Sequence, residues 1–475
     1  MFKGTKADSH NFADDALARG CRIFVGDNQA TMNALRDRAD HKVTLFFVKN
    51  SRAAWAFLEA LANGNPQNHM KLAAVTGTNG KTSTVWLMRG LLDQTSHSMM
   101  TLGTLGMYFK NRYLPTAHTS PDPDYLYPAL ANARAAGADA CGMEVSSHSL
   151  AQEKIRPLFF DFAAFTSFSR DHLDFHGTED DYFAAKCRLF TSQLSENPRI
   201  ALHHSIAGRV ASFGFSLKVP ADSWVYGLDF APQNWLTWNQ LSATILGESP
   251  SGTEIELLLR PKGEAVLRFR GTLPVFGSVF IENFMAAFLA ANKISGSWPE
   301  PSTWVALKPV PGRMELVPSS APGPLVFVDY AHTPDALSQV VGFASKIAVS
   351  KKSKLWCVFG CGGERDQGKR PLMARAAASS ADAVIVTSDN PRSEDPEKII
   401  DQILAGFTDR FRADHVQRIS PRDAAIQFAV NHAAQDDVIV IAGKGHEVFQ
   451  EVSGRKYPFD DREVAANALH ARKKL

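Results

Sequence analysis

Short apolar runs recur along the chain, each followed by a polar or glycine-rich stretch and then by a helix-like segment. "LAAVTGTNGKTS", "ACGMEVSSHS" and "FAAFTSFSRDHLD" have this form in the middle of the chain. "LVFVDYAHTPD", "LWCVFGCGGERD", "AVIVTSDNPRSED" and "VIVIAGKGHE" have it near the end. Apolar runs of about four to eight residues bounded by turn formers read as buried strands. Strands alternating with helices predict an α/β architecture on parallel sheets. In such sheets ligands gather outside the carboxyl ends of the strands. In all seven runs the residues with chemistry to offer sit at that end.

Two turn-rich stretches divide the pattern. "LANGNPQNHM" precedes the first of these strands, and "LKPVPGRMELVPSSAPGPL" precedes the last group. They predict three domains: a short N-terminal unit (1–49), a central unit carrying a phosphate loop (50–308) and a Rossmann-like α/β unit (309–475). The helix "SRAAWAFLEAL" goes with the central unit. Inside that unit, residues 200–275, with "SWVYGLDF", "EIELLLR" and "AVLRFRG", read as an insert of antiparallel strands.

Composition narrows the possibilities. The chain has 475 residues and is 45% apolar, enough for several packed cores. Lys plus Arg (51) and Asp plus Glu (49) nearly cancel, so no basic face for nucleic acid is expected. No apolar run reaches the ~18 residues of a membrane span. The start, "MFKGTKADSHNF", lacks the apolar segment of a secretory signal. Cys21, Cys141, Cys187, Cys357 and Cys361 contain no CxxC pair and read as reduced thiols. The expectation is a cytoplasmic monomer.

The clearest chemical signal is "TGTNGKTST". In a glycine-rich turn at a helix N-terminus, backbone N–H groups point outward together and, with the helix dipole, form an anion site. Gly77, Thr78, Asn79, Gly80, Lys81 and Thr82 make the candidate cradle, with Lys81 supplying charge and the Thr82 hydroxyl a magnesium ligand. The loop is shorter than the usual eight-residue form, because Val75 stands where its first glycine would be. A polar turn capping a helix is the plainer alternative. Glu144, ending the apolar run of "GMEVSSH", offers a carboxylate for Mg²⁺; alone it reads as a solvated or capping residue. His172 and Lys186, each alone, read as a structural histidine and a helix-surface lysine.

Taken in order, "TGTNGKTST", "HTSPD", "MEVSSHSL", "FTSFSRDHLDFHGTEDDYFAAK", "PVPGRMELV", "VDYAHTPDAL", "FGCGGERDQGKRPLMA", "SDNPRSEDP" and "AGKGHE" resemble the Mur ligases of peptidoglycan synthesis, and among them the branch that adds diaminopimelate. The resemblance implies three domains and ATP-dependent amide synthesis. The terminal D-Glu carboxylate of UDP-MurNAc-L-Ala-D-Glu is phosphorylated, and an amine of meso-2,6-diaminopimelate attacks the acyl phosphate. It implies that residues 77–82 hold ATP, with catalytic roles for Lys81, Lys186 and His172. Two Mg²⁺ ions are implied, held by Thr82, Glu144, His172 and Lys186, the last carbamylated by CO₂ (N6-carboxylysine). Asn283, Arg313 and Asp329 are implied as further ATP contacts, closing over the nucleotide when the domains close. Thr119, Ser120, Ser146, Gln152 and Lys154 match positions for the sugar dipeptide.

The loop "SDNPR" bears on the incoming amino acid. A planar guanidinium binds a carboxylate bidentately, so Arg392 suits a substrate with a second, distal carboxylate. Arg365, Asp389, Asn390, Pro391, Gly443 and Glu447 complete the matched pocket, with Glu447 placed for the distal ammonium. The chain departs from the family pattern at His118 (usually Asn), at Lys154 (usually Arg), at Ser167 (usually Asn) and before Asn283, where Val279 and Phe280 replace Phe-Asn. It begins at the stretch that follows the family's uridine-contacting region, so the uridine site is not assigned. The competing readings are a folylpolyglutamate synthase-like ligase and an ATP-binding relative that has lost catalysis.

Overall fold

The computed structural model describes the chain except residues 2–6, 39–41, 111, 117, 213–219, 229, 231–236, 250–251, 276, 320–321 and 473–475. All seven apolar runs are strands, and each lies parallel to at least one neighbour.

A small N-terminal layer pairs two parallel strands, β1 (Ile23–Gly26) and β2 (Thr44–Phe47). The helix Ser51–Ala62 follows. Asn50 caps it by accepting from the Arg52 and Ala53 amides, and the Ser51 hydroxyl ties it back to Asp27 at 2.5 Å.

The central sheet has eleven strands: β3 (Lys71–Thr76), β4 (Met99–Gly103), β5 (Gly106–Phe109), β6 (Arg112–Leu114), β7 (Ala140–Glu144), β8 (Phe160–Phe165), β9 (Leu194–His203), β10 (Ser223–Leu228), β11 (Asn239–Ser249), β12 (Gly252–Arg260) and β13 (Leu267–Leu273). Their spatial order is β13-β12-β11-β10-β9-β8-β3-β7-β4-β5-β6. β3, β7 and β8 are almost wholly buried, as expected of strands covered on both faces. The helices Lys81–Leu92 and Ser278–Ser295 cover one face and share a core of Val85, Met88, Leu91, Met285 and Phe288.

The expected antiparallel insert is corrected in part. β12 and β13 are antiparallel, but β10 runs parallel to both β9 and β11, and all of them extend the central sheet. The reason lies in the helix His204–Ser212 between β9 and β10. A strand–helix–strand crossover returns the chain in the same direction, whereas a hairpin reverses it.

The C-terminal sheet orders β14 (Glu315–Leu316), β15 (Leu325–Asp329), β19 (Val438–Ala442), β16 (Leu355–Phe359), β17 (Ala383–Val386) and β18 (Val416–Arg418). All neighbours are parallel except β14 with β15. β19 ends against a buried ion pair. Arg422 Nε and Nη2 donate to Asp461 Oδ1 and Oδ2 at 2.8 and 2.7 Å, both side chains are wholly buried, and Nη2 also holds the Ala442 carbonyl. Removing one partner strands a buried charge, which costs about 3–5 kcal/mol. Asp461→Ala is therefore expected to lower the thermal midpoint by several degrees, and Arg422→Met with Asp461→Leu to recover much of the loss. An unchanged midpoint in Asp461→Ala, read by calorimetry, contradicts this. No helix among the described residues is long and apolar enough to cross a membrane.

Candidate active site

The phosphate loop leaves β3 and enters the helix Lys81–Leu92, and two glycines let it do so. Gly80 caps the helix at φ 89°, a left-handed conformation that side chains disfavour. A Cβ there would lie 2.4 Å from Asn283 Oδ1, and one at Gly77 would lie 2.1 Å from Thr166 Oγ1. Ser167, the departure from the family pattern, pins the loop: it accepts from the Asn79 amide at 2.9 Å and its hydroxyl donates to the Asn79 carbonyl at 3.1 Å. Lys81 folds back on its own loop, Nζ donating to the Gly77 and Thr78 carbonyls at 2.8 and 2.9 Å. Burial pushes its pKa down, against the pull of nearby Glu144 and Asp171.

Glu144, at the end of β7, stands beside Thr82. The Thr82 hydroxyl donates to its Oε2 at 2.9 Å; the Thr104 amide and hydroxyl donate at 2.8 and 3.1 Å. Burial raises the Glu144 pKa, with Lys81 and the hydrogen bonds opposing. Lys186 lies beneath the loop, 1% exposed, and donates to the Gly77 carbonyl at 2.8 Å. Burial and then the neighbouring Lys81 hold its pKa well below that of a free lysine. His172 sits at φ 55° beside Asp171, and burial lowers its pKa to about 4, so the imidazole is neutral at pH 7.

The C-terminal sheet faces this loop across a cleft. Thr78–Thr82, Thr119, Glu144 and His172 line one side; Arg313, Arg365, Asp389, Asn390, Arg392, Gly443 and Glu447 line the other. Three hydrogen bonds among the described residues join the sides. Arg313 Nη2 donates to Thr82 Oγ1 at 3.4 Å, Asn79 Nδ2 to Asp335 Oδ2 at 3.4 Å, and His446 Nε2 meets the Thr104 carbonyl at 3.3 Å. Arg313 lies over the Tyr330 ring at 4.7 Å. Asp329 is buried behind it, accepting from the Met314 and Ala331 amides at 2.7 Å each.

Arg392 takes φ 53°, a left-handed value rare for a non-glycine residue. Its Nη1 donates to the Gly363 carbonyl at 2.6 Å and its Nε lies 3.6 Å from Glu451 Oε2, which anchors the guanidinium at the cleft wall. Gly363 leaves the necessary room, since a Cβ there would lie 2.0 Å from the Pro391 carbonyl. Glu447 Oε2 accepts from Asn390 Nδ2 at 2.8 Å and from the buried Lys444 at 2.9 Å. Its charge is thus already partly matched.

Several sequence candidates fall outside the cleft lining: Gly77, Ser120, Ser146, Gln152, Lys154, Lys186, Asn283, Asp329 and Pro391. Asn283 Oδ1 lies 3.5 Å from the Thr84 hydroxyl, which donates to it, under the phosphate loop. The Ser120 hydroxyl donates to the Glu144 carbonyl at 2.9 Å and accepts from the Ser146 amide; Ser146 caps the next helix. Lys154 pairs with Asp122 at 2.5 Å, and Gln152 closes the helix Ser147–Ala151. Conversely, sequence reasoning passed over Thr104, Asp171, Tyr330, His332 and Lys369, which line the cleft, and Lys444, which holds Glu447. All but Thr104 lie inside motifs quoted above. Lys369 donates to the His332 carbonyl at 2.9 Å, and burial lowers the His332 pKa to about 4.

The sequence and the fold both match known proteins. Residues 75–291 match the Mur ligase middle domain and residues 312–445 the Mur ligase glutamate ligase domain. The chain is 38% identical over 471 residues to a UDP-N-acetylmuramoyl-L-alanyl-D-glutamate–2,6-diaminopimelate ligase of Xanthomonas campestris, covering 98% of this chain and 90% of the relative. A solved structure bearing that same name superposes with a TM-score of 0.63 at 29% identity, covering 96% of this chain and 94% of the other. Mycobacterium tuberculosis folylpolyglutamate synthase, solved with ADP and AMPPCP, superposes with a TM-score of 0.64 at 18% identity, over 89% and 95% of the two chains. At that identity the likeness is one of fold. Two family domains on consecutive stretches, and a near full-length relative at 38% identity, place this chain in the Mur ligase family.

Proposed function

We propose that the chain uses ATP to join meso-2,6-diaminopimelate to the D-Glu carboxylate of UDP-MurNAc-L-Ala-D-Glu. The observation that carries this reading is the placement of the phosphate loop and the Arg392 pocket on opposite walls of one cleft. The diaminopimelate-adding relative at 38% identity supports the choice of substrate over the folylpolyglutamate synthase alternative.

The reaction has two steps. A D-Glu carboxylate oxygen attacks the γ-phosphorus of ATP, and ADP leaves. The free amine of diaminopimelate then attacks the acyl carbon; inorganic phosphate leaves and the amine gives up a proton. Little covalent work falls to the protein, so positioning and charge neutralisation carry catalysis. In this reading residues 77–82 cradle the phosphates and Lys81 turns from the loop carbonyls to the γ-phosphoryl group. Arg313, Asp329 and Asn283 hold the nucleotide. Thr119, Ser120, Ser146, Gln152 and Lys154 hold the sugar dipeptide. Arg392 and Arg365 take the distal carboxylate of diaminopimelate, and Asp389, Asn390, Pro391, Gly443 and Glu447 shape and charge the rest of its pocket.

The residues fit magnesium. Adjacent ligands of an octahedral ion with bonds near 2.1 Å lie about 2.9 Å apart, which is the Thr82–Glu144 oxygen separation. Thr82 and Glu144 would hold one ion and His172 and Lys186 a second; such ions neutralise charge on the transferring phosphoryl group. Carbamylation needs the free-base amine, and a wholly buried lysine beside a second lysine supplies it. The carbamate replaces a cation by an anion at a point where a cation would repel magnesium.

Phosphate release tests the proposal. It is expected only when ATP, UDP-MurNAc-L-Ala-D-Glu and diaminopimelate are present together. Release with a folate and glutamate instead would favour the alternative ligase, and no release with either set would favour an ATP-binding protein without catalysis.

A further inference from the structure

Outside the cleft, the end of β9, the following helix and the start of the helix Ser278–Ser295 bring His203, His204 and Glu282 together. Their ligand atoms all lie within 4.8 Å of one another, and none of the three lines the cleft. We propose that these residues form a binding site for one divalent transition-metal ion of the zinc type.

The donor set is two imidazoles and one carboxylate, the combination that suits Zn²⁺ and its neighbours rather than Mg²⁺ or Ca²⁺. Glu282 Oε1 accepts from the Leu228 amide at 3.4 Å. His203 Nε2 and Glu282 Oε1 are 2.9 Å apart. Tetrahedral ligands with bonds of ~2.0–2.1 Å are separated by about 3.3 Å, so a small outward shift of the two groups admits an ion between them.

Outer partners of the kind that orient metal ligands are in place for His203 and Glu282. His203 Nδ1 bonds the Ser205 hydroxyl at 2.7 Å, leaving Nε2 to face Glu282. The His204 ring stacks on Phe230 at 5.6 Å between centroids, and Gly227 makes room for it, since a Cβ there would lie 2.4 Å from His204 Cδ2. Neither His204 nitrogen has a hydrogen-bond partner among the described residues. Three protein ligands leave a fourth position for water or an exogenous group.

The test is titration of the full-length protein with Zn²⁺ in excess Mg²⁺, against a chromophoric chelator, with Co²⁺ absorbance as a second readout. His172 of the cleft belongs to a second histidine group, its ring and that of His176 lying 4.9 and 5.5 Å from the His148 ring, so the variants must separate the two. One ion per chain is expected. His204→Phe keeps the stacking on Phe230, and Glu282→Gln is isosteric; each should abolish the site. Ser205→Ala should weaken it by about tenfold. His172→Ala should leave it intact. Binding that survives His204→Phe but disappears in His172→Ala, or no binding beyond buffer controls, overturns the assignment. If Glu282→Gln does not fold, His204→Phe alone decides.

Discussion

Replacing Lys81 with alanine is expected to lower turnover by about 10²–10³-fold while leaving the fold intact. The amine stands at the mouth of the phosphate loop, partly desolvated and held by two loop carbonyls. Turned from those carbonyls, it meets charge that develops on the transferring phosphoryl group, and removing one such donor costs about 2.7–4 kcal/mol of transition-state stabilisation. Among the described residues its side-chain hydrogen bonds go only to the loop that carries it, so the thermal midpoint should move little. Lys81→Arg should not restore the rate, because a planar fork cannot occupy the place of one tetrahedral nitrogen between the Gly77 and Thr78 carbonyls. Steady-state ADP release gives the rate and calorimetry the fold. A turnover within threefold of the parent would contradict the assignment.

Arg392→Ala is expected to raise the KM for diaminopimelate between about 10- and 150-fold, the range that corresponds to losing a charged hydrogen bond of ~1.5–3 kcal/mol. The KM for ATP should change less than about twofold, since Arg392 is anchored to Gly363 and Glu451 on the wall opposite the phosphate loop. Lysine, which lacks the distal carboxylate, should be used poorly by the parent and show little further loss in the variant. Equal effects on both substrates would mean that Arg392 holds the C-terminal loops together and does not read the amino acid.

Much of this was legible in the sequence because periodicity and turn chemistry are local. Each of the seven apolar runs followed by a glycine-rich or charged loop is a parallel strand with its loop at the carboxyl end. The direction of β10 was not legible. The helix that precedes it, "HSIAGRVAS", is only nine residues long and carries a central glycine, so it does not announce a crossover. Contacts that span the chain were equally hidden. Thr104 meets Glu144 forty residues away, and Arg313 meets Thr82 across 231 positions. Arg422 finds Asp461, and Lys444 is buried beneath Glu447 and Asn390. In each case an ordinary-looking polar residue gains its meaning from a partner that only the tertiary structure supplies. Ser120 and Ser146 run the other way. Singled out for a ligand, they bond one another and the end of β7, so a substrate role for them rests on the loop they shape as much as on their hydroxyls.

Oxygen transfer probes the chemistry of the cleft most directly. With UDP-MurNAc-L-Ala-D-Glu carrying ¹⁸O in the terminal carboxylate, turnover with ATP and diaminopimelate should place one labelled oxygen in each phosphate released, because the carboxylate oxygen bonds phosphorus before the amine displaces it. Unlabelled phosphate would mean that ATP is hydrolysed by water, and the cleft would not be the carboxylate-activating ligase site described here.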